Sequence, residues 1–211
     1  MTIPDLFKVE KHTIWDNPVP IVDNSATKSM DIYLTDEIGV PFNYNELTYC
    51  IKNAPADYDI RLHISTPGGV IDGAIFIIDA INLSKAKVTG YLTGTVASAG
   101  TIIALACHEL VVANHLSFMI HNYSATGISG KGHEIKAYQN FTNANIEKTF
   151  RTFYKWFLTD KEMNSVIDGQ DIWMNEDEVA RRWAIKLGGK SPEVATTATA
   201  KRGRPKKSVS I

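Results

Sequence analysis

From residue 30 to residue 120 the chain switches between two hydrophobic periods. Met30–Leu34 and Ile60–Ile64 read as short strands, the second alternating apolar and polar positions; Val70–Leu83 carries apolar residues at 70, 71, 74, 75, 77, 78 and 81, which predicts a helix. Between them Ser65-Thr66-Pro67-Gly68-Gly69 is a turn, so Ile60–Leu83 is a strand–turn–helix unit. The unit recurs. Val88–Leu92 predicts a strand, Thr93-Gly94-Thr95 a turn, and Ala99–Cys107 an apolar helix rich in Ala and Ile. With a helix expected over Tyr44–Asn53 and strands over Leu110–Ala113 and Ser117–Ile120, the alternation predicts an α/β fold with a largely parallel sheet.

The flanks break this rhythm. Over residues 1–29, Pro4, Pro18 and Pro20 interrupt every period, and Asp23-Asn24-Ser25 forms turns, which predicts an irregular N-terminal arm. Tyr123–Gly130 is too glycine-rich for a central strand, and a long helix is expected from about Lys131 to Leu158. Its Tyr138, Phe141, Ile146, Phe150, Phe153, Tyr154, Trp156 and Phe157 are more apolar surface than one domain readily covers, which predicts burial between subunits; the alternative is packing on its own sheet. Val179–Leu187 closes the domain as a helix and short return. The expected division is an arm over 1–29, a domain over 30–189 and a disordered basic tail over 190–211.

Composition agrees with one globular domain: 211 residues, 44% hydrophobic and 21% charged. The net charge of -1 conceals an asymmetry, because residues 190–211 hold six basic residues and one acid, leaving 16 basic against 22 acidic residues before them. Acidic residues interrupt the first 18 positions, so no secretory signal is expected, and no apolar run is long enough to span a bilayer. The expected location is the cytoplasm, with no membrane contact. Cys50 and Cys107 lack metal-ligand spacing and read as reduced fillers.

Candidate chemistry centres on Ser98, placed where a strand–turn gives way to an apolar helix and flanked by Ala97, Ala99 and Gly100. Small neighbours admit a substrate backbone, and a helix N-terminus offers free N–H groups to an oxyanion; the same residues also suit a plain N-cap. Gly68-Gly69 opens the preceding helix in the same way. If the two units lie side by side in a parallel sheet, the N–H groups of Gly69 and Ala99 flank one carbonyl oxygen. Of six histidines, His121 alone ends an apolar strand, Phe118-Met119-Ile120, and would emerge at its tip as a base; the others read as solvated or satisfied. The orienting acid lies among Asp160, Asp168 and Asp171, and the residues alone barely separate them.

Thr66-Pro67-Gly68-Gly69, Gly94-Thr95-Val96-Ala97-Ser98-Ala99-Gly100, Met119-Ile120-His121, the long helix and Asp171-Ile172-Trp173-Met174 resemble, in order and spacing, the proteolytic subunit of the Clp protease. The likeness runs over roughly Met30–Leu187 and looks closest to the divergent Clp-like proteases of bacterial viruses. It implies a crotonase-like repeated ββα subunit with a protruding handle helix, seven-membered rings stacked face to face as a tetradecamer, and a separate Clp-family ATPase unfoldase. It also implies that Ser98 is the nucleophile, His121 the general base and Asp171 the third member, with Gly69 and Ala99 as oxyanion-hole amides. Three features depart from the family pattern: His121-Asn122-Tyr123 lacks the family's proline, residues 1–29 do not match its axial loops, and the basic tail has no counterpart.

The expected activity is therefore serine-type endopeptidase action on unfolded polypeptides through an acyl-enzyme, with no metal or organic cofactor. No Walker-type phosphate loop is present, so ATP hydrolysis would belong to a partner. Two other readings are a crotonase-like acyl-CoA enzyme and a non-enzymatic ring or scaffold component with a DNA-anchoring tail. In that tail, Arg202-Gly203-Arg204-Pro205 resembles the AT-hook core that enters A·T-rich minor grooves and would give a weak, salt-sensitive DNA contact; a solvated charge run is the plainer reading.

Overall fold

The computed structural model describes residues 19–124, 129–188 and 193–195. Its centre is a sheet in the order β1 (Ile21–Asn24), β2 (Ser29–Leu34), β3 (Asp59–Thr66), β4 (Lys87–Ala97), β5 (Glu109–Ala113) and β8 (Glu193–Ala195). Strands β2 to β5 run parallel, which requires crossover connections. Helices α1 (Asn45–Asn53), α2 (Ile71–Leu83) and α3 (Ala99–Ala106) supply them. On β3 every second residue, Ile60, Leu62, Ile64 and Thr66, is buried, as the alternating sequence requires. In α3, Ala99–Leu105 are all buried, so this run, polar only at Thr101, makes a core helix rather than an amphipathic one.

Strand β4 departs from expectation in a way that builds the site. It does not turn at Thr93-Gly94-Thr95 but continues to Ala97, with a crease at Gly94 (φ +62°) and a register shift against β3 between Ile64 and Thr66. Before the crease β4 pairs with β5; after it, with β6 (Ser117–Ile120). Strand β6 in turn pairs antiparallel with β7 (Ile172–Met174).

The expected helix over 131–158 ends earlier. Helix α4 is Gly132–Tyr154, the chain turns, and α5 (Asp160–Ile167) restarts behind a cap in which Glu162 N–H donates to Thr159 Oγ1 at 3.3 Å and Thr159 N–H donates to Glu162 Oε2 at 2.8 Å. The first part of α4 is almost wholly exposed; Phe150, Tyr154 and Phe157 then enter the core, and Ile146, Phe153 and Trp156 pack against it. The aromatic surplus expected to need a partner therefore reduces mainly to Tyr138 and Phe141, which are 56% and 70% exposed. The last helix, α6 (Glu176–Lys186), begins three residues before the expected start, capped by Asn175, whose Oδ1 accepts from Glu178 N–H at 3.1 Å.

Two expected boundaries shift as well. The arm over 1–29 contains β1, which adds to the sheet as a hairpin with β2, and the tail over 190–211 contains β8, parallel to β5. Arg202, Gly203, Arg204 and Pro205 lie outside the described residues. No helix among the described residues is long and apolar enough to cross a membrane. Cys107 is fully buried and its thiol is pushed up to about 12, so it stays protonated as a filler.

Candidate active site

Ser98 sits at the end of β4 with φ +52° and ψ -126°, a conformation rarely tolerated outside glycine. Its neighbours hold it there. Ser98 N–H donates to Met119 O at 2.8 Å, continuing the β4–β6 ladder, and its carbonyl accepts from Thr101 N–H at 2.9 Å and from Thr101 Oγ1 at 2.6 Å. Thr101 Oγ1 is also 2.5 Å from the Tyr154 hydroxyl, which ties α4 to the serine turn. Burial raises the Tyr154 phenol above its ordinary range and keeps it neutral.

The same ladder delivers His121, the candidate base. With Ala97 opposite Met119, β6 carries His121 past its end to the serine, and His121 Nε2 lies 2.7 Å from Ser98 Oγ. In the tautomer protonated at Nδ1, the hydroxyl donates to Nε2, the arrangement a nucleophile–base pair needs. Beyond it, Asn122 Nδ2 donates to Ile167 O at 2.9 Å and fixes the chain after the imidazole.

The acids separate by position. Asp160 is the first residue of α5 and Asp168 its C-cap, whereas Asp171 immediately precedes β7. Since Ile120 pairs with Ile172, the next antiparallel position sets Asp171 opposite His121. Asp171 is exposed, and no hydrogen bond joins it to His121 among the described residues. The structure thus brings Ser98 and His121 together and leaves Asp171 adjacent but unbonded.

Gly69 (φ +145°) forms a parallel bridge with Ile38, through Ile38 N–H to Gly68 O and Val70 N–H to Ile38 O, both 2.7 Å. In such a bridge the glycine's own N–H points away from Ile38. Ala99, the first residue of α3, has no intrahelical acceptor for its N–H. Gly69, Ser98, Ala99 and His121 all line one cleft of about 460 Å³. Its apolar part comes from Ile102 on α3 and from Ile146, Phe150 and Phe153 on α4. Thr101 and Tyr154 were not legible as site residues, although Ser98-x-x-Thr101 places a hydroxyl one helical turn beyond the serine. Two other histidines are satisfied elsewhere: His63 bonds Asp31 at 2.8 Å and stacks on Tyr33, and His108 Nδ1 accepts from Val88 N–H at 2.9 Å.

The family model for Clp protease matches residues 22–182, most of the chain. The chain belongs to the Clp protease family. Within that family it is 29% identical over 131 residues to the ATP-dependent Clp protease proteolytic subunit 2 of Pseudomonas aeruginosa, covering 60% of this chain and 63% of that protein. It is 35% identical over 129 residues to subunit 3 of Rhizobium meliloti, covering 59% and 65%. A shorter match, 48% identical over 46 residues, covers 22% of this chain and 24% of the proteolytic subunit of Streptococcus suis. Each match thus spans less than two thirds of the relative's length. The fold is that of a ClpP1 point mutant from Listeria monocytogenes, with a TM-score of 0.60 at 21% identity over 74% of this chain and 88% of that one. This Clp family member is therefore a divergent one with the α/β fold of its relatives.

Proposed function

We propose that the protein is a serine endopeptidase that hydrolyses unfolded polypeptides. The observation that carries this reading is the 2.7 Å contact between Ser98 Oγ and His121 Nε2 at a backbone turn held with positive φ. His121 takes the hydroxyl proton as Ser98 attacks the scissile carbonyl, and the Gly69 and Ala99 amides hold the oxyanion. Collapse passes the proton from His121 to the leaving amine, and a water activated by the same imidazole releases the acyl group from Ser98. Asp171, across the ladder from His121, orients the imidazole and stabilises its cation once its carboxylate turns inward. Membership of the Clp protease family supports the same chemistry.

The family also supports assembly into stacked rings enclosing the cleft, service by a separate Clp ATPase, and work in a bacterial cytoplasm; these belong to the proposal too. A crotonase-like enzyme would work through carboxylates and has no use for the serine–histidine contact. The test is a fluorophosphonate probe on the intact protein with the adduct mapped by mass spectrometry. Labelling at Ser98, lost in Ser98→Ala together with peptide hydrolysis, is the expected result; a protein inert to the probe and to peptides overturns the reading.

A further inference from the structure

Among the described residues that line the cleft, Glu37 is the one carboxylate, and Lys and Arg are absent. Its side chain is exposed and has no ion-pair partner among the described residues, while the main chain around it is pinned. Thr66 Oγ1 donates to Asp36 O at 2.6 Å, and Asp36 Oδ1 accepts from Glu37 N–H at 2.7 Å. Ile38 is bound to the Gly68–Val70 strand by the two 2.7 Å bridge bonds, and Gly39 N–H donates to the Tyr44 hydroxyl at 2.8 Å. The segment carrying Glu37 is thus fastened to the glycines beside Ser98. The backbone at Glu37 therefore keeps a set relation to the scissile position, and the unpartnered carboxylate is left available to a substrate group.

We propose that Glu37 selects polypeptides with a lysine or arginine side chain close to the scissile bond, an inference that rests on the peptidase reading above. An extended peptide with its carbonyl at Ser98 runs along the free edge of Gly69-Val70, opposite the edge bridged to Ile38, so a side chain as long as lysine's or arginine's is what reaches Glu37 across that stretch. The apolar residues of α3 and α4 take a hydrophobic neighbour. A lone carboxylate rewards a positive substrate group and repels a negative one, and both effects enter the discrimination between substrates.

The test uses the full chain and N-acetylated peptides in which the side chain is the sole positive charge. Lys, Gln or Glu is placed in turn at each of the positions flanking a fixed scissile bond, and kcat/KM is read as a ratio within each protein. Wild type should favour Lys over Glu by about tenfold at one or two positions, with the ratio shrinking toward unity between about 0.05 and about 1 M salt. Glu37→Gln should bring it within about twofold, and Glu37→Lys should invert it. Because ratios are compared, a change in overall rate does not enter. A charge-blind wild type, or a preference that survives Glu37→Gln, overturns this inference and leaves the peptidase reading standing. Absence of Ser98-dependent hydrolysis of every peptide overturns both.

Discussion

Gly68 lies so close to Ser98 that a methyl group added to the glycine would stand 2.5 Å from the Ser98 Cβ and 2.8 Å from Ala97 O. Gly68 also has φ +98°, so its lack of a side chain is needed twice. Gly68→Ala should cost about 1–3 kcal/mol of stability and abolish fluorophosphonate labelling of Ser98, as read by a thermal melt and a labelling gel on the same sample. Retained labelling would mean that the serine turn does not depend on this contact.

The backbone of Ser98 predicts an opposite effect at the serine itself. Replacing the residue by glycine relieves the positive-φ strain, whereas alanine keeps it. Both variants should be inactive, and Ser98→Gly should be more stable than Ser98→Ala by about 1 kcal/mol, measured by denaturant midpoints. Equal midpoints would show that the turn stores no strain.

Asp171 and Asp168 lie three residues apart in different surroundings. Asp171→Asn should lower turnover by about 10⁴-fold through the wrong imidazole tautomer, while Asp168→Asn, at the α5 C-cap, should be nearly silent. Assembly should be checked in both. The reverse pattern would assign the acid to Asp168.

Arg182 joins α5 to α6. It bonds Glu162, Glu178 and Phe157 O while only 12% exposed. The Glu162 carboxyl is held down to about 2, chiefly by Arg182, and Glu178 likewise to about 2 by Arg181 first and then Arg182. Both lie below the usual 4.5, so their stabilisation is present above about pH 4.5 and is lost as the pH falls toward 2. Arg182→Leu should cost about 2–4 kcal/mol near neutrality and flatten the fall in melting temperature between pH 5 and pH 2. An unchanged acid slope would refute the role of this pair.

On α4, Tyr138 and Phe141 are exposed and lie before the part of the helix that the domain buries. If this exposed stretch of α4 joins subunits, Phe141→Glu should shift sedimentation toward smaller species without lowering the melting temperature of the subunit. A wild-type protein that sediments as a monomer at working concentration would remove the assembled reading.

The serine and histidine were legible because adjacent motifs carry them. Small residues around Ser98 and an apolar strand ending at His121 point to one sheet edge, and the ladder from Ala97 to Met119 joins them. The break between α4 and α5 was hidden, since Trp156-Phe157-Leu158 continues the apolar character of the helix; the only signal was Thr159-x-x-Glu162, a capping pair. Strand β1 sat among turn-formers and proline, and its place depends on pairing with β2 rather than on its own pattern. Glu37 could not be read at all. It reaches the cleft through a bridge between Ile38 and Gly69, residues 31 positions apart, and polar residues in a short loop carry no period that reports such a contact.

The crease at Gly94 divides the mounting of the proposed catalytic parts. Beyond it, Ser98, Ala99 and His121 hang from β4 and β6, stitched by three register pairs and the Ser98-to-Met119 bond, while Gly69 hangs from β3 and Ile38. Strand β3 pairs with that half of β4 at Thr66↔Val96 alone. Ser98 and His121, the proposed nucleophile and base, therefore share one chassis, and Gly69 rides on another. The close approach of Gly68 to Ser98, Ala97 and Ala99 is what sets the spacing between the Gly69 and Ala99 amides across the two mountings.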